Sequence, residues 1–132
     1  MRANRLPSDI RNTFRNRVAI TSSVPPPPLQ APGVPTFILT AGNAQILLDV
    51  TPSTSGGKAE QFAYQVRRRN AADTQWSSWQ NRVIFTGTTA TITVFNSSNA
   101  IVNGRRHRVR VEAINSAGDS AWSDPIDVTP TE

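Results

Sequence analysis

Between residues 104 and 123 the chain reads GRRHRVRVEAINSAGDSAWS, with His107, Val109, Val111 and Ala113 alternating with Arg106, Arg108, Arg110 and Glu112. A period of two is that of a strand with one face against a core and the other toward water. Asn115, Ala117 and Gly118 then supply turn chemistry, Gly118 being able to take positive φ. A short returning strand is expected around residues 125–128, so this stretch reads as a closing hairpin.

The same pattern of strand signals at regular intervals begins at Thr36. Phe37 to Leu39 reads as a short first strand, and Gly42–Asn43 turns into a second at Gln45–Val50. Residues 51–58 (TPSTSGGK) form a loop. Phe62, Tyr64 and Val66 alternate with Ala63, Gln65 and Arg67 in a third strand. Residues 76–85 are expected to hold a fourth, broken near 80–82. Residues 90–94 read as a fifth, Thr-rich strand, and 96–99 as a polar loop. Strands separated by polar turns, with no helical period, predict an all-β sandwich.

Two upstream segments do not follow this pattern. Residues 24–35 (VPPPPLQAPGVP) are a proline-rich linker, whose consecutive prolines favour polyproline II and a stiff spacer over a ligand for a proline-binding groove. Residues 1–23 form a basic arm, in which Ile10, Phe14 and Val18 recur at a spacing of four and Ser8 stands where a short helix would be capped. Such a helix is marginal by itself and is expected to order against a partner. The expected organisation is therefore an arm over 1–23, a linker over 24–35 and a sandwich over 36–132.

Charge separates arm from sandwich. The 132-residue chain carries a net +5. The arm holds Arg2, Arg5, Arg11, Arg15 and Arg17 against Asp9, a net +4, and residues 24–132 hold nine basic and eight acidic side chains, a net +1. A basic arm suits an acidic protein surface, nucleic acid or an anionic membrane. Cysteine is absent, which removes disulfide and thiolate chemistry. No apolar run has the length of a signal peptide core or a membrane span, and with Met at position 1 the expectation is a chain made and kept in a cytoplasm.

Residues 35–130 resemble a fibronectin type III domain. Val109 to Ser120 (VRVEAINSAGDS) is similar to the family's Val-x-Val-x-Ala-x-Asn-x-x-Gly-x-Ser. Tyr64 to Arg68 resembles its Tyr-x-Val-x-Tyr strand, with Arg68 in place of the second Tyr. Ile101 to His107 resembles its Leu-x-Pro-Gly-Thr-x-Tyr corner, with His107 in place of Tyr. Val50–Thr51–Pro52 resembles Trp-x-Pro with Val for Trp, and residues 125–129 match the last strand. The resemblance implies a seven-stranded antiparallel sandwich, here a divergent one. It also implies that His107 packs in the corner and donates one N–H to a nearby carbonyl, as the family's Tyr donates its hydroxyl.

No catalytic set emerges. His107 is the only histidine, too little for the usual metal site or a Ser–His–acid triad. Gly56–Gly57–Lys58 lacks the strand–loop–helix setting of a phosphate loop. Trp76, Trp79 and Trp122 are expected near the outward arginines Arg106, Arg108 and Arg110, with Arg67 or Arg69, as an internal cation–π ladder in preference to a nucleic-acid surface. Trp76–Ser77–Ser78–Trp79 and Trp122–Ser123 resemble the Trp-Ser-x-Trp-Ser box of cytokine receptors, but order and spacing differ and the likeness is set aside. Asn103–Gly104–Arg105 reads as a corner turn.

The expectation for function is a non-enzymatic structural or binding module without cofactor, metal or small-molecule substrate. By analogy of fold and context it is a tailed-phage virion accessory protein, such as a capsid decoration or a tail or neck component, assembled in the bacterial cytoplasm. Docking would use Arg2, Arg5, Arg11, Phe14, Arg15 and Arg17, with the loops 51–58, 96–99 and 116–121 as second contacts. The partner is another protein subunit, with nucleic acid ranked below it and no membrane insertion. The alternative is a fragment of a larger extracellular adhesion or receptor protein that binds protein or glycan through its loops. An accessory domain of a carbohydrate enzyme ranks third.

Overall fold

A computed structural model describes residues 29–132. The strands are β1 (Thr36–Gly42), β2 (Gln45–Thr51), β3 (Gln61–Arg68), β4 (Val83–Phe85), β5 (Thr89–Ile92), β6 (Val94–Asn96), β7 (Asn99–Ala100), β8 (His107–Asn115), β9 (Gly118–Asp119) and β10 (Ile126–Val128). Seven of them build the two sheets of the sandwich, in the orders β1-β2-β5 and β10-β8-β3-β4. All pairings are antiparallel, β9 adds a short pair to β8, and β6 and β7 form a separate hairpin.

The core follows from alternation. Strand β2 buries Ile46, Leu48 and Val50 and exposes the residues between them. Strands β3 and β8 bury Phe62, Tyr64 and Val66 against Val109, Val111 and Ala113, with Phe37, Ile92, Phe95 and Ile101 closing the cluster. These branched and aromatic side chains suit a pleated surface, and their burial is the main stabilising force.

Several expectations need correction. The first strand extends from Thr36 to Gly42, beyond 37–39, because every residue through Gly42 pairs with β2. Only Val83–Phe85 of the expected fourth strand is regular. Arg69 bridges Trp76 and Tyr64 faces Val83, so five steps along β3 are matched by seven along its neighbour. The two additional residues bulge out near 78–82, close to the expected break. The fifth strand ends at Ile92, and 96–99 is the turn of the β6–β7 hairpin, where Asn96 Oδ1 accepts from Ser98 N at 3.0 Å. Glu112, expected on a wet face, is buried and ion-paired with Arg82.

The proline-rich segment is not held off from the sandwich where it is described. Pro32 and Pro35 are buried. Gly57 N donates to Ala31 O at 3.0 Å, Gly33 N to Ser55 O at 3.1 Å, and Asn115 Nδ2 to Gln30 O at 2.7 Å and Lys58 O at 3.1 Å. The two glycines make the seat. Gly56 has φ +73°, and a Cβ on Gly57 would stand 2.0 Å from Gln30 O. Residues 30–33 thus strap across the 51–58 loop, which is partly covered by them.

Candidate interaction surface

The outer face of the four-stranded sheet carries Arg67 of β3 and Arg108 and Arg110 of β8. Residues alternate, so Arg67 and Arg69 share that face with Arg108 and Arg110. The irregular neighbours on both flanks bring tryptophans over them. Trp76 and Trp79 are three residues apart and would face opposite ways in a regular strand; the bulge sets both on one face. Arg110 lies 4.6 Å from the Trp122 ring and 4.3 Å from Trp79, Arg67 lies 5.2 Å from Trp79 and 5.6 Å from Trp76, and Arg108 lies 4.3 Å from Trp76. Arg69 at 5.3 Å and Arg106 at 6.0 Å complete the group around Trp76. The expected ladder is therefore present, in the order Trp122, Arg110, Trp79, Arg67, Trp76, Arg108.

The two Trp-Ser pairs share one arrangement that spacing concealed. Ser77 Oγ accepts from Arg68 N at 3.1 Å, and Ser123 Oγ accepts from Val111 N at 3.0 Å. In each pair the serine replaces a missing ladder partner of the central strand, while the preceding tryptophan turns outward over an arginine. Ser120 Oγ serves Ala113 N in the same way at 2.9 Å. Buried backbone donors need such partners, so these hydroxyls permit the bulges that hold the tryptophans.

Carboxylates fasten the rim. Arg108 binds Asp127 at 2.6 and 3.1 Å, and this hydrogen bond raises the arginine pKa further above its ordinary value. Asp73 accepts from Arg69 at 3.0 Å and from Arg106 at 3.2 Å, and the Arg69 bond leads in holding its carboxyl below the usual range. Arg82 joins Glu112 and Asp119; Ala63, the cross-strand partner of Glu112, is wholly buried on the outer side of its strand. Arg110 donates to Gln65 Oε1 at 2.6 and 3.0 Å; burial, and then Arg67, lowers its pKa.

His107 occupies the corner as the resemblance implied. It is fully buried, its ring stands edge-on to Phe95 at 6.3 Å, and Nδ1 lies 2.7 Å from Arg105 O. A carbonyl only accepts, so Nδ1 carries the hydrogen and Nε2 keeps a lone pair, for which the described residues hold no partner. Burial, with Arg68 and Arg105 nearby, brings the pKa down to about 4 against the upward pull of the Arg105 bond. The imidazole is neutral at pH 7 and serves packing.

Arg2, Arg5, Arg11, Phe14, Arg15 and Arg17 lie outside the described residues. Among those described, no group of three or more His, Asp or Glu is placed to hold a metal ion, and no helix is long and apolar enough to cross a membrane. All eight arginines of the sandwich lie on or beside the four-stranded sheet, and the ninth cation, Lys58, lies at the strap.

The chain matches no family profile and no curated protein. Solved structures do match. The FN5 domain of Drosophila Lar aligns with a TM-score of 0.57 at 13% identity, over 77% of this chain and 99% of that one. The fibronectin type-III domain of human fibronectin type III domain containing protein 3 aligns with a TM-score of 0.52 at 16% identity, over 83% and 93%. The twitchin kinase region from C. elegans aligns with a TM-score of 0.56 at 20% identity, over 77% of this chain and 17% of that one. The fold is a fibronectin type III-like sandwich.

Proposed function

We propose that the chain is a non-enzymatic structural or binding module whose residues 1–23 dock it on a neighbouring protein subunit. Among assemblies, the reading favoured is a tailed-phage virion, with the chain a capsid decoration or a tail or neck component added in the bacterial cytoplasm. The observation that carries the docking role is the division of charge. Most arginines of the sandwich face tryptophans or carboxylates, Arg68 and Arg105 being held instead by backbone carbonyls, whereas Arg2, Arg5, Arg11, Arg15 and Arg17 have only Asp9 beside them in sequence. Phe14 supplies the apolar contact. Deleting residues 1–23 is expected to abolish incorporation into the assembly while leaving the sandwich's melting temperature unchanged. Unimpaired incorporation would refute the reading.

One observation favours a second reading, a unit of a larger adhesion or receptor protein outside the cell. The strap enters beside Asn115, at the end of β8, and Pro130 leaves beside Gly104, which precedes its start. Entry and exit at opposite poles suit domains strung in a row. Isolating the chain from its source as part of a longer polypeptide would favour this reading over the first.

A further inference from the structure

Two departures from the family pattern, Arg68 and His107, are partners across β3 and β8. Arg68 follows Val66 on the inward side, at the very end of the sandwich. Its guanidinium lies 4.0 Å over the Phe95 ring, and Nη1 donates to Ala100 O at 3.0 Å. Arg105 stands beside it, held by Nε and Nη2 to Arg69 O at 3.1 and 2.9 Å. Both guanidinium groups are fixed by neutral carbonyls. Neither has a carboxylate partner among the described residues, unlike Arg69, Arg82, Arg106 and Arg108.

That arrangement is costly without a counter-ion. Burial and the charge of Arg105 both lower the pKa of Arg68. Two like charges held side by side and partly out of water favour an anion between them. The two groups border a cleft of about 310 Å³, lined also by Phe95, Trp76, Gln75 and Ser77. Among the described residues Arg68 Nε and Nη2 and Arg105 Nη1 have no hydrogen-bond partner, enough to bind two oxygens of one carboxylate.

We propose that this cleft receives one carboxylate side chain from an acidic segment of a partner protein, held between Arg68 and Arg105 with the segment's backbone against Trp76. The site rests on reading the chain as a protein-binding module, and it is separate from the arm. An acidic peptide suits it better than a nucleic acid. The remaining arginines of this sheet stack on tryptophan or pair with a carboxylate, and elsewhere among the described residues Asp49, Glu60, Asp124 and Glu132 outnumber the one lysine, Lys58, so a long polyanion meets repulsion beyond the cleft.

The test titrates the full chain with acetyl-Gly-Asp-Glu-Asp-Gly-amide, followed by tryptophan fluorescence and by the side-chain N–H resonances of Trp76, Arg68 and Arg105. Saturable shifts at those three side chains are expected, with Arg68→Gln weakening binding at least tenfold and Arg68→Lys less. The Asn-Gln-Asn counterpart peptide is expected not to bind. The proposal is overturned if that amide peptide binds equally, if oligothymidylate binds more tightly, or if shifts centre elsewhere on the unmodified protein. Because the shift mapping needs no substitution, it decides the matter even where Arg68→Gln fails to fold. Binding by a chain lacking residues 1–23 is expected to be unchanged, so failure of the cleft and failure of the arm are distinguishable.

Discussion

On the three-stranded sheet Ile38, Leu47 and Asp49 stand in solvent, whereas on the four-stranded sheet the outer side of the central strands β3 and β8 carries a cover of tryptophan and arginine. Both sheets present β-rich strands to the same core. The first ends there, as a two-sided sheet with one wet face. The second gains a partial third layer from residues 76–82 and Trp122, under which Ala63 and Glu112 are as buried as core residues. The contrast teaches that a charged strand need not be a binding strand. Arginine is the residue that makes this cover, because its flat cation stacks on indole and its stem packs on the sheet.

The largest way to break the contrast is Arg82→Ala, which leaves the buried Glu112 carboxylate without its cation. A loss of about 3 kcal/mol is expected in urea denaturation, at the low end for a broken buried pair because Arg82 is itself about one-third exposed. Acid is the next lever, acting beneath the same sheet. The unfolded chain protonates His107 from pH 6.5 downward, while the folded one keeps it neutral to about 4. The contribution is therefore complete above pH 6.5, falls as the pH drops through that window, and levels off below about 4. Linkage gives a loss of about 2 kcal/mol between pH 8 and 5, read as a fall in the urea midpoint; His107→Phe is expected to remove this slope while losing the Arg105 bond. Trp79→Leu keeps apolar bulk but removes the rung between Arg67 and Arg110, for an expected loss of about 1 kcal/mol. On the other sheet Leu47→Thr is expected to change stability by less than about 0.5 kcal/mol, since it touches only the wet face.

Sequence alternation revealed what depends on regular strands. Strands β2, β3 and β8 were legible because Ile46–Leu48–Val50, Phe62–Tyr64–Val66 and Val109–Val111–Ala113 keep a period of two, and the same logic put Arg67, Arg108 and Arg110 on one face. What stayed hidden depends on irregular chain. Trp76 and Trp79 share a face through a bulge that no periodicity announces, and Glu112 is covered by Arg82 from the same bulged segment. The Trp-Ser pairs look unrelated in sequence because they flank β3 and β8 from opposite sides. Gly56–Gly57 signalled a loop but not the segment that lies in it. The cleft is not legible in sequence because Arg68 stands there only as a departure from a tyrosine; its neighbour across the sheet, His107, is another departure, and that coincidence is the available signal.

The strap at residues 30–33 has a mechanical consequence. Its bonds from Gly57, Gly33 and Asn115 tie the chain to the loop after β2 and to the far end of β8 before the edge strand β1 begins. At the other pole Gly104 N holds Pro130 O at 2.8 Å. Tension applied across the sandwich meets these fastenings before it reaches β1 or β10, so their bonds are strained together and peeling of a free strand end begins only after they yield. A sandwich pulled from both poles would in this way resist a steady load better than two unfastened edge strands would.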